Sequence, residues 1–241
     1  MRRRYSTYRD QNRKSKKILK VIKYIFFLFI LYTFVSVFLI SSYIMNSSSM
    51  EPALKEGQRI LAAPVVFGGR IFGTSLKAPG FRTPGRGEIV VISRNQSPVL
   101  RTLLDSIVRF FTLQRKTLFN SEKDIWKGPV AVKRIIGIPG DVVKIENYTA
   151  YIKTPDSSSF VCEKDLILKK YKPEKGILPV EWKENMPFSG TMEAVKLGDN
   201  EYFVLNDNRT DVNDSRLFGP LPVSSVKAPV FLSYLPGFSF K

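Results

Sequence analysis

The chemistry open to this 241-residue chain is limited by what it lacks: there is no histidine, and Cys162 is the single cysteine. A Ser-His-Asp triad, a Cys-His dyad, a histidine-ligated zinc site and a haem on a proximal histidine are therefore excluded. One cysteine also cannot close an internal disulfide or hold an iron–sulfur cluster. Catalysis must then come from carboxylates, hydroxyls, lysines, tyrosines or the lone thiol, and we expect neither a metal nor another cofactor.

Lys133 is the first candidate, because it lies within the apolar run Pro-Val-Ala-Val-Lys-Arg-Ile-Ile-Gly, which is typical of a β-strand. One interpretation is that the aliphatic part of its side chain packs against apolar neighbours while its ammonium reaches water. The other is that the amine is buried, which lowers its pKa towards neutrality and lets it accept a proton from a serine hydroxyl. In a chain without histidine, Lys133 is the best candidate base. Arg134 should point to the opposite face of the strand and need not be buried.

A run of serines supplies the candidate nucleophile. Ser47, Ser48 and Ser49 follow a long apolar segment that ends at Ile44. Serines in such a place commonly form a solvated linker. The alternative is that Ser49, five residues past the segment, is a nucleophile held close to its end.

A polar loop over 206–216 follows the predicted strand Glu201–Leu205. It is either a series of Asx turns or a buried ion-pair network that shapes a site. An aspartic-protease dyad is disfavoured, because arginines lie beside both carboxylates and neutralise them. The network's candidate members are Asp207, Arg209, Asp214 and Arg216.

The element before these residues resembles a membrane anchor. Residues 24–44 contain no charged residue, no glycine and no proline over 21 positions, which is enough for a helix to span a bilayer. The run is too long for a cleaved signal peptide and too uniform for a core helix. Residues 1–23 contribute +9 of the net charge of +17, which predicts a cytoplasmic tail. The rest of the chain, 45–241, should then lie on the other side of the membrane.

Beyond the anchor the pattern is mostly β, with short strands separated by glycine and proline. Two stretches, 95–127 and 146–198, read as insertions. Within the first, residues 98–115 have helical spacing and predict a helix that lies either on the domain surface or in the membrane interface. The second predicts a peripheral β lobe or long loop.

Four segments in order resemble the sequence boxes of the type I signal peptidase family, which are membrane-bound serine proteases with a Ser/Lys dyad. The segments are Ser49–Leu54 (SMEPAL), Arg86–Val91 (RGEIVV), Val132–Asp141 (VKRIIGIPGD) and Asp207–Arg216 (DNRTDVNDSR). The resemblance is weak across the two insertions.

The resemblance implies roles for individual residues. Ser49 is the expected nucleophile and Lys133 the general base, with the Ser47 hydroxyl and the Ser49 backbone N–H in the oxyanion hole. Asp214 and Arg216 are expected to form a supporting ion pair. The substrate is expected to lie beside Met45, Pro129, Val130, Ala131 and Val132.

The implied fold is a single transmembrane helix followed by an extracytoplasmic domain of coiled, barrel-like antiparallel sheets with a peripheral β lobe. The implied activity is removal of signal peptides from secreted precursors at the bacterial cytoplasmic membrane. Partners would be those precursors and membrane lipid. Nucleic acid is not expected, because the +8 outside the tail is modest and no binding motif is present.

The chain departs from the family pattern in its last box. Asn206 stands where glycine is usual, and Val212 stands where a serine usually bonds the catalytic lysine. Thr210 or Asn213 are the expected substitutes for that serine. These departures motivate one alternative, a non-catalytic membrane-anchored binding protein on the same scaffold. Smaller departures are Asn46 for proline and Ala53 for threonine.

Overall fold

A computed structural model describes residues 2–35, 39–68, 79–93, 104, 107–108, 130–167, 171–175, 190–235, 237 and 239–240. The described helices are α1 (Arg2–Phe34), α2 (Pro64–Phe67), α3 (Glu163–Leu166) and α4 (Ser215–Phe218), with 3-10 turns at Ser48–Met50 and Val223–Ser225. The strands are β1 (Ser41–Ile44), β2 (Arg59–Ala62), β3 (Ile89–Ile92), β4 (Ala131–Gly137), β5 (Val142–Glu146), β6 (Thr149–Lys153), β7 (Val161–Cys162), β8 (Met192–Lys196), β9 (Glu201–Leu205), β10 (Leu221–Pro222), β11 (Val226–Leu235) and β12 (Ser239–Phe240).

The N-terminal helix differs from the predicted anchor over 24–44. Helix α1 begins inside the predicted tail and ends at Phe34, and the last four residues of the predicted anchor form β1 instead. An apolar run alone does not distinguish helix from strand. Here the residues of β1 pair with β2, and the hydroxyls of Ser42 and Tyr234 lie 2.9 Å apart. Among the described residues, no helix is both long enough and apolar enough to cross a bilayer.

The prediction of a mostly β protein is confirmed. Eight strands form one antiparallel sheet in the order β1-β2-β11-β3-β4-β9-β10, with β12 paired to β11. Register shifts interrupt the pairing of β11 with both of its neighbours and of β4 with β9. Such irregularities bend strands and increase their twist. The sheet also includes β1, so the folded domain begins before the predicted boundary at residue 45.

Hydrophobic side chains cover both faces of this sheet around β3 and β4. One core cluster contains Met50, Val91 and Val132, and a second contains Val90 and Ile135. Alternate residues of one strand thus enter different clusters, as the side-chain period of a strand requires. A strand buried on both faces has no solvent-exposed side on which a charged residue can lie, so any lysine within β4 must be buried.

The second insertion, 146–198, supplies most of a smaller antiparallel sheet in the order β7-β6-β5-β8. This confirms the predicted β lobe. The lobe has its own apolar cluster, which includes Ile152 and Ile167 and also takes in Ile136 and Phe203 from the large sheet. The lobe and the large sheet therefore share a core. The helix predicted over 98–115 lies almost wholly outside the described residues, although 104, 107 and 108 are helical.

Candidate active site

Ser49 is held in a short 3-10 turn between β1 and β2. The next residue, Met50, is fully buried in the first core cluster and fixes the turn against the sheet. The Ser49 side chain is only 4% exposed. Its hydroxyl lies 2.9 Å from the hydroxyl of Ser47. Two of the three consecutive serines therefore face each other, whereas Ser48 between them is exposed, so this segment is no solvated linker.

Lys133 lies in the middle of β4 and is buried, with 3% of the residue exposed. Its Nζ donates a hydrogen bond of 2.5 Å to Oδ1 of Asn206, the first residue after β9. Burial lowers the pKa of Lys133 from its ordinary 10.5 to about 8, against the attraction of the Asp214 and Asp211 carboxylates. The nearby Arg216 guanidinium lowers it further. The amine is thus far easier to deprotonate than a surface lysine.

The loop over 206–216 is organised around Asp214. Its carboxylate caps the N-terminus of α4 by accepting from the Arg216 backbone N–H, and it accepts from the backbone N–H of Asn206. The Arg216 guanidinium donates to both oxygens of the same carboxylate, at 2.9 and 2.8 Å. Arg216 also donates to the carbonyls of Arg209 and Asp211. One ion pair, between Asp214 and Arg216, therefore holds both ends of the loop.

The other two predicted members of the network pair with residues outside the loop. Asp207 accepts two hydrogen bonds from the guanidinium of Arg134, at 2.7 and 2.6 Å. Arg134 is therefore buried as well, on the face of β4 opposite to Lys133, because a carboxylate is available there. Arg209 donates to Glu163 of the lobe, 2.8 Å away. The two ion pairs meet at Tyr171, because Arg209 also donates to the Tyr171 hydroxyl and the ring of Tyr171 lies over the Arg134 guanidinium.

Ser49 and Lys133, which are 84 positions apart, are both attached to the same polar loop. The carbonyl of Ser49 accepts a hydrogen bond of 3.0 Å from the backbone N–H of Asn208. Lys133 donates to Asn206, two residues earlier in that loop. In addition, Met50 and Val132, the chain neighbours of Ser49 and Lys133, pack in one core cluster. The fold therefore joins the segment of the candidate nucleophile to the strand of the candidate base.

The residues expected to flank a substrate divide between the two faces of β4. Met45 and Val132 are buried in the first core cluster, and Val130 packs against it. Ala131 packs against the second cluster. Pro129 lies outside the described residues.

Sequence reasoning missed several residues of the site. In the sequence, Asn206 stands out only as a departure from a pattern, and Glu163 lies in a segment that predicts a peripheral insertion. Tyr171 was not considered, although its hydroxyl donates to Glu163 and its ring lies 4.0 Å from the guanidinium carbon of Arg134. A buried-charge argument could have found Arg134, because it stands beside Lys133 in an apolar strand. Within the described ranges, no group of three or more candidate ligands is placed to hold a metal ion.

Comparison with known proteins gives one family. The family model described as signal peptidase, peptidase S26, matches residues 18–235. A signal peptidase IB of Staphylococcus aureus (strain COL) is 25% identical over 209 residues, which cover 86% of this chain and 84% of that protein. A probable signal peptidase I-2 of Synechocystis sp. is 23% identical over 202 residues, covering 84% and 66% of the two chains.

Among solved structures, a signal peptidase I from Enterococcus faecalis V583 aligns with 19% identity and a TM-score of 0.32, over 61% of this chain and 97% of that one. The assignment rests on the family match, which spans nearly all of the sequence beyond the basic end. This chain belongs to the signal peptidase family, peptidase S26, and its activity is that of a signal peptidase I.

Proposed function

We propose that the chain cleaves signal peptides from secreted precursors with Ser49 as nucleophile and Lys133 as general base. The observation that carries this proposal is the buried lysine with a pKa of about 8 on a strand packed beside the serine-bearing turn. Neutral Lys133 takes the proton of the Ser49 hydroxyl, and the serine oxygen attacks the scissile carbonyl. The acyl-enzyme is then released by water, with Lys133 again accepting the proton.

The oxyanion of the tetrahedral intermediate is proposed to be bound by the Ser49 backbone N–H and the Ser47 hydroxyl. The hydroxyls of Ser47 and Ser49 are 2.9 Å apart, which places a second donor beside the attacking oxygen. A donor of this kind typically stabilises a transition state by about 3–4 kcal/mol. In the absence of substrate, that hydroxyl has the nucleophile itself as its partner.

The substrate is proposed to extend along the first half of β4. Residues Ala131–Lys133 pair with β3, whereas β9 pairs with β4 only from Arg134 onward. Among the described strands, one edge of this half therefore has no strand partner, and an extended peptide can add there by main-chain hydrogen bonds. Val130, Ala131 and Val132, together with Met45, would then flank the residues next to the scissile bond. Substrate residues with small side chains would fit beside these positions, as is typical of the residues before a signal-peptide cleavage site.

Membrane attachment through residues 24–44 is part of the same proposal. The apolar side chains of α1 are exposed rather than packed on the domain, for example Phe26 and Phe27, each 62% exposed. Exposed apolar surface of that extent is typical of a site that meets lipid or another protein. The basic residues at 1–23 favour a single-pass orientation with the N-terminus in the cytoplasm.

The proposal is tested by incubating the detergent-solubilised full chain with a preprotein that carries a signal peptide. Wild type should release the mature protein with one N-terminus, after a small residue. Lys133→Met should lose at least about 1,000-fold in rate, since both steps need the amine. Its circular dichroism spectrum should match that of wild type. Cleavage by Lys133→Met at the wild-type rate would contradict the assignment, and failure of a serine-directed acylating probe to label Ser49 would favour a non-catalytic protein.

A further inference from the structure

Lys133 is the buried base of the proposed mechanism, and the direction of its lone pair decides whether it can act. A neutral amine has two N–H donors and one lone pair. The lone pair must face the Ser49 hydroxyl for proton transfer, so at least one N–H has to be held elsewhere. The side chain bonded to Lys133 Nζ in this structure is Asn206, at 2.5 Å.

The Asn206 side chain is itself fixed in orientation. It is fully buried, and its Nδ2 donates to the carbonyl of Asp211 at 2.8 Å. Its backbone N–H donates to Oδ2 of Asp214, at 3.0 Å. Only Nδ2 can donate to a carbonyl, so Oδ1 must face Lys133, and it can only accept.

We propose that Asn206 is a positioning residue for the general base: its amide holds one N–H of Lys133 and leaves the lone pair free for Ser49. This rests on the proposed function of Lys133. It also explains the two departures in the last sequence box together. Where the family pattern has glycine and serine, this chain has Asn206 and Val212, so the polar partner has moved from one position of the loop to another.

Thr210, one of the two substitutes expected from the sequence, has a different partner. The hydroxyl of Thr210 lies on an exposed part of the loop and donates to Oδ1 of Asn208. The charged groups that act on Lys133 are the carboxylates of Asp214 and Asp211 and the guanidinium of Arg216. Because all three lie in the same loop, a change at residue 206 that keeps the loop folded leaves them in place.

Two substitutions that keep the branched shape of the side chain make opposite predictions. Asn206→Leu removes the acceptor, so the pKa of Lys133 should fall and kcat should drop by about 10-fold to 100-fold at every pH, with little change in KM. Asn206→Asp keeps an acceptor but adds a negative charge, so the pKa should rise. Its cleavage rate should be low at neutral pH and recover in more alkaline buffer. Thr210→Val is the matched control from the same loop and should keep the wild-type rate and pH profile.

The experiment has two arms on the full chain in detergent. The first measures kcat and KM against pH for cleavage of a preprotein by wild type and the three variants. The second measures the titration of Lys133 by NMR of lysines labelled with ¹³C at Cε, in a Ser49→Ala background, with the signal assigned by its loss in Lys133→Arg. Circular dichroism checks that each variant is folded.

Opposite shifts of the Lys133 midpoint in the leucine and aspartate variants, with none in Thr210→Val, would support the role of Asn206. The NMR result does not depend on cleavage. Absence of preprotein cleavage by wild type would overturn the proposed function and not the contact between Asn206 and Lys133. Midpoints and pH profiles unchanged by either substitution at Asn206, or shifted in the same direction by both, would overturn the positioning role while leaving the Ser/Lys assignment intact.

Discussion

At Lys133, burial has opposite consequences for catalysis and for stability. Desolvation lowers the pKa to about 8, so a useful fraction of the amine is neutral near physiological pH. Below that pH the folded protein must keep an ammonium away from water. The unfolded chain, with a lysine pKa near 10.4, has no such cost.

The first prediction concerns this cost. Between pH 8 and about 10.4 the unfolded state binds a proton that the folded state does not, so the free energy of unfolding should rise with pH. The rise from this group alone is about 3 kcal/mol. Lys133→Met lacks the group and serves as the reference. Denaturant unfolding of both proteins across this range should show that the free energy of unfolding of wild type rises with pH relative to that of the variant. If the two free energies changed in parallel with pH, the lowered pKa would be refuted.

The second prediction is the pH dependence of cleavage. Protonated Lys133 cannot accept the serine proton, so kcat/KM for a preprotein should fall about tenfold for each pH unit below about 8 and level off above it. The measurement is a rate profile from pH 6 to 10 with a substrate whose cleavage region carries no titrating side chain. A profile that stays flat from pH 6 to 8 would exclude Lys133 as the base.

Candidate site residues can be chosen from the sequence where a residue type has few alternative uses. A lysine in an apolar strand of a histidine-free chain, and a serine at the start of a sequence box, indicated Lys133 and Ser49. The ion-pair partners of the charged residues are harder to predict from the sequence. The sequence places Arg209 and Asp207 in one network but does not indicate their partners. Arg209 pairs with Glu163, 46 positions away in sequence, and it is linked to the Arg134–Asp207 pair through Tyr171. Such contacts depend on how the lobe packs on the sheet, which local patterns do not encode.

Among the elements, the lobe and the large sheet meet at a glycine where an added Cβ would overlap a neighbouring side chain. Gly87 has φ +82°, and a Cβ added there would lie 2.3 Å from Cγ2 of Ile167 at the end of α3. Its carbonyl accepts from Arg134, and its N–H donates to the carbonyl of Ile135 on β4. The lobe therefore contacts a backbone segment that is hydrogen-bonded to β4, the strand of Lys133.

The third prediction follows from this contact. Gly87→Ala combines left-handed strain with overpacking and should destabilise the fold by roughly 2–4 kcal/mol. Gly57→Ala is the matched control, because Gly57 has φ +76° with no atom within 4 Å of the added Cβ. It should cost only the strain, about 1–2 kcal/mol. Urea unfolding of the two variants measures the difference, and equal losses would show that the Ile167 contact is unimportant.

The elements themselves were largely predictable, because glycine and proline mark the ends of the strands. The strand Glu201–Leu205 has the predicted bounds, and β4 lies within the apolar run around Lys133 that predicted a strand. The strand Ser41–Ile44 was not predicted, because it continues an apolar run and hydropathy alone cannot assign it to a sheet. Its pairing with β2 depends on residues 15 or more positions away.

At the scale of the whole molecule, the chain joins a strongly basic, largely helical end to a folded β domain. The exposed apolar side chains of α1 form the surface proposed to enter the membrane. Anchoring there would hold the Ser49 turn and the membrane-bound end of a precursor at one interface, which raises their effective concentration. Charge and hydropathy predict this anchoring, which stays a prediction.

The fourth prediction tests that arrangement. Leu28→Arg places a charge within the proposed lipid-facing part of α1, at an insertion cost of about 2.5–3.5 kcal/mol. It should release a measurable fraction of the protein from membranes in alkaline carbonate. Leu217→Arg makes the same change at an exposed leucine of the β domain and should leave the protein in the membrane pellet. Equal extraction of both variants and wild type would argue against anchoring through this segment.

The three consecutive serines allow the most direct test of the Ser/Lys mechanism. Ser48 is exposed, while Ser47 and Ser49 face each other. The measurement is the initial rate of preprotein cleavage by Ser47→Ala, Ser48→Ala and Ser49→Ala beside wild type. We expect Ser48→Ala to match wild type, Ser47→Ala to lose about 100-fold to 1,000-fold through the oxyanion hole, and Ser49→Ala to show no enzymatic cleavage. Cleavage by Ser49→Ala at the wild-type rate would contradict the account.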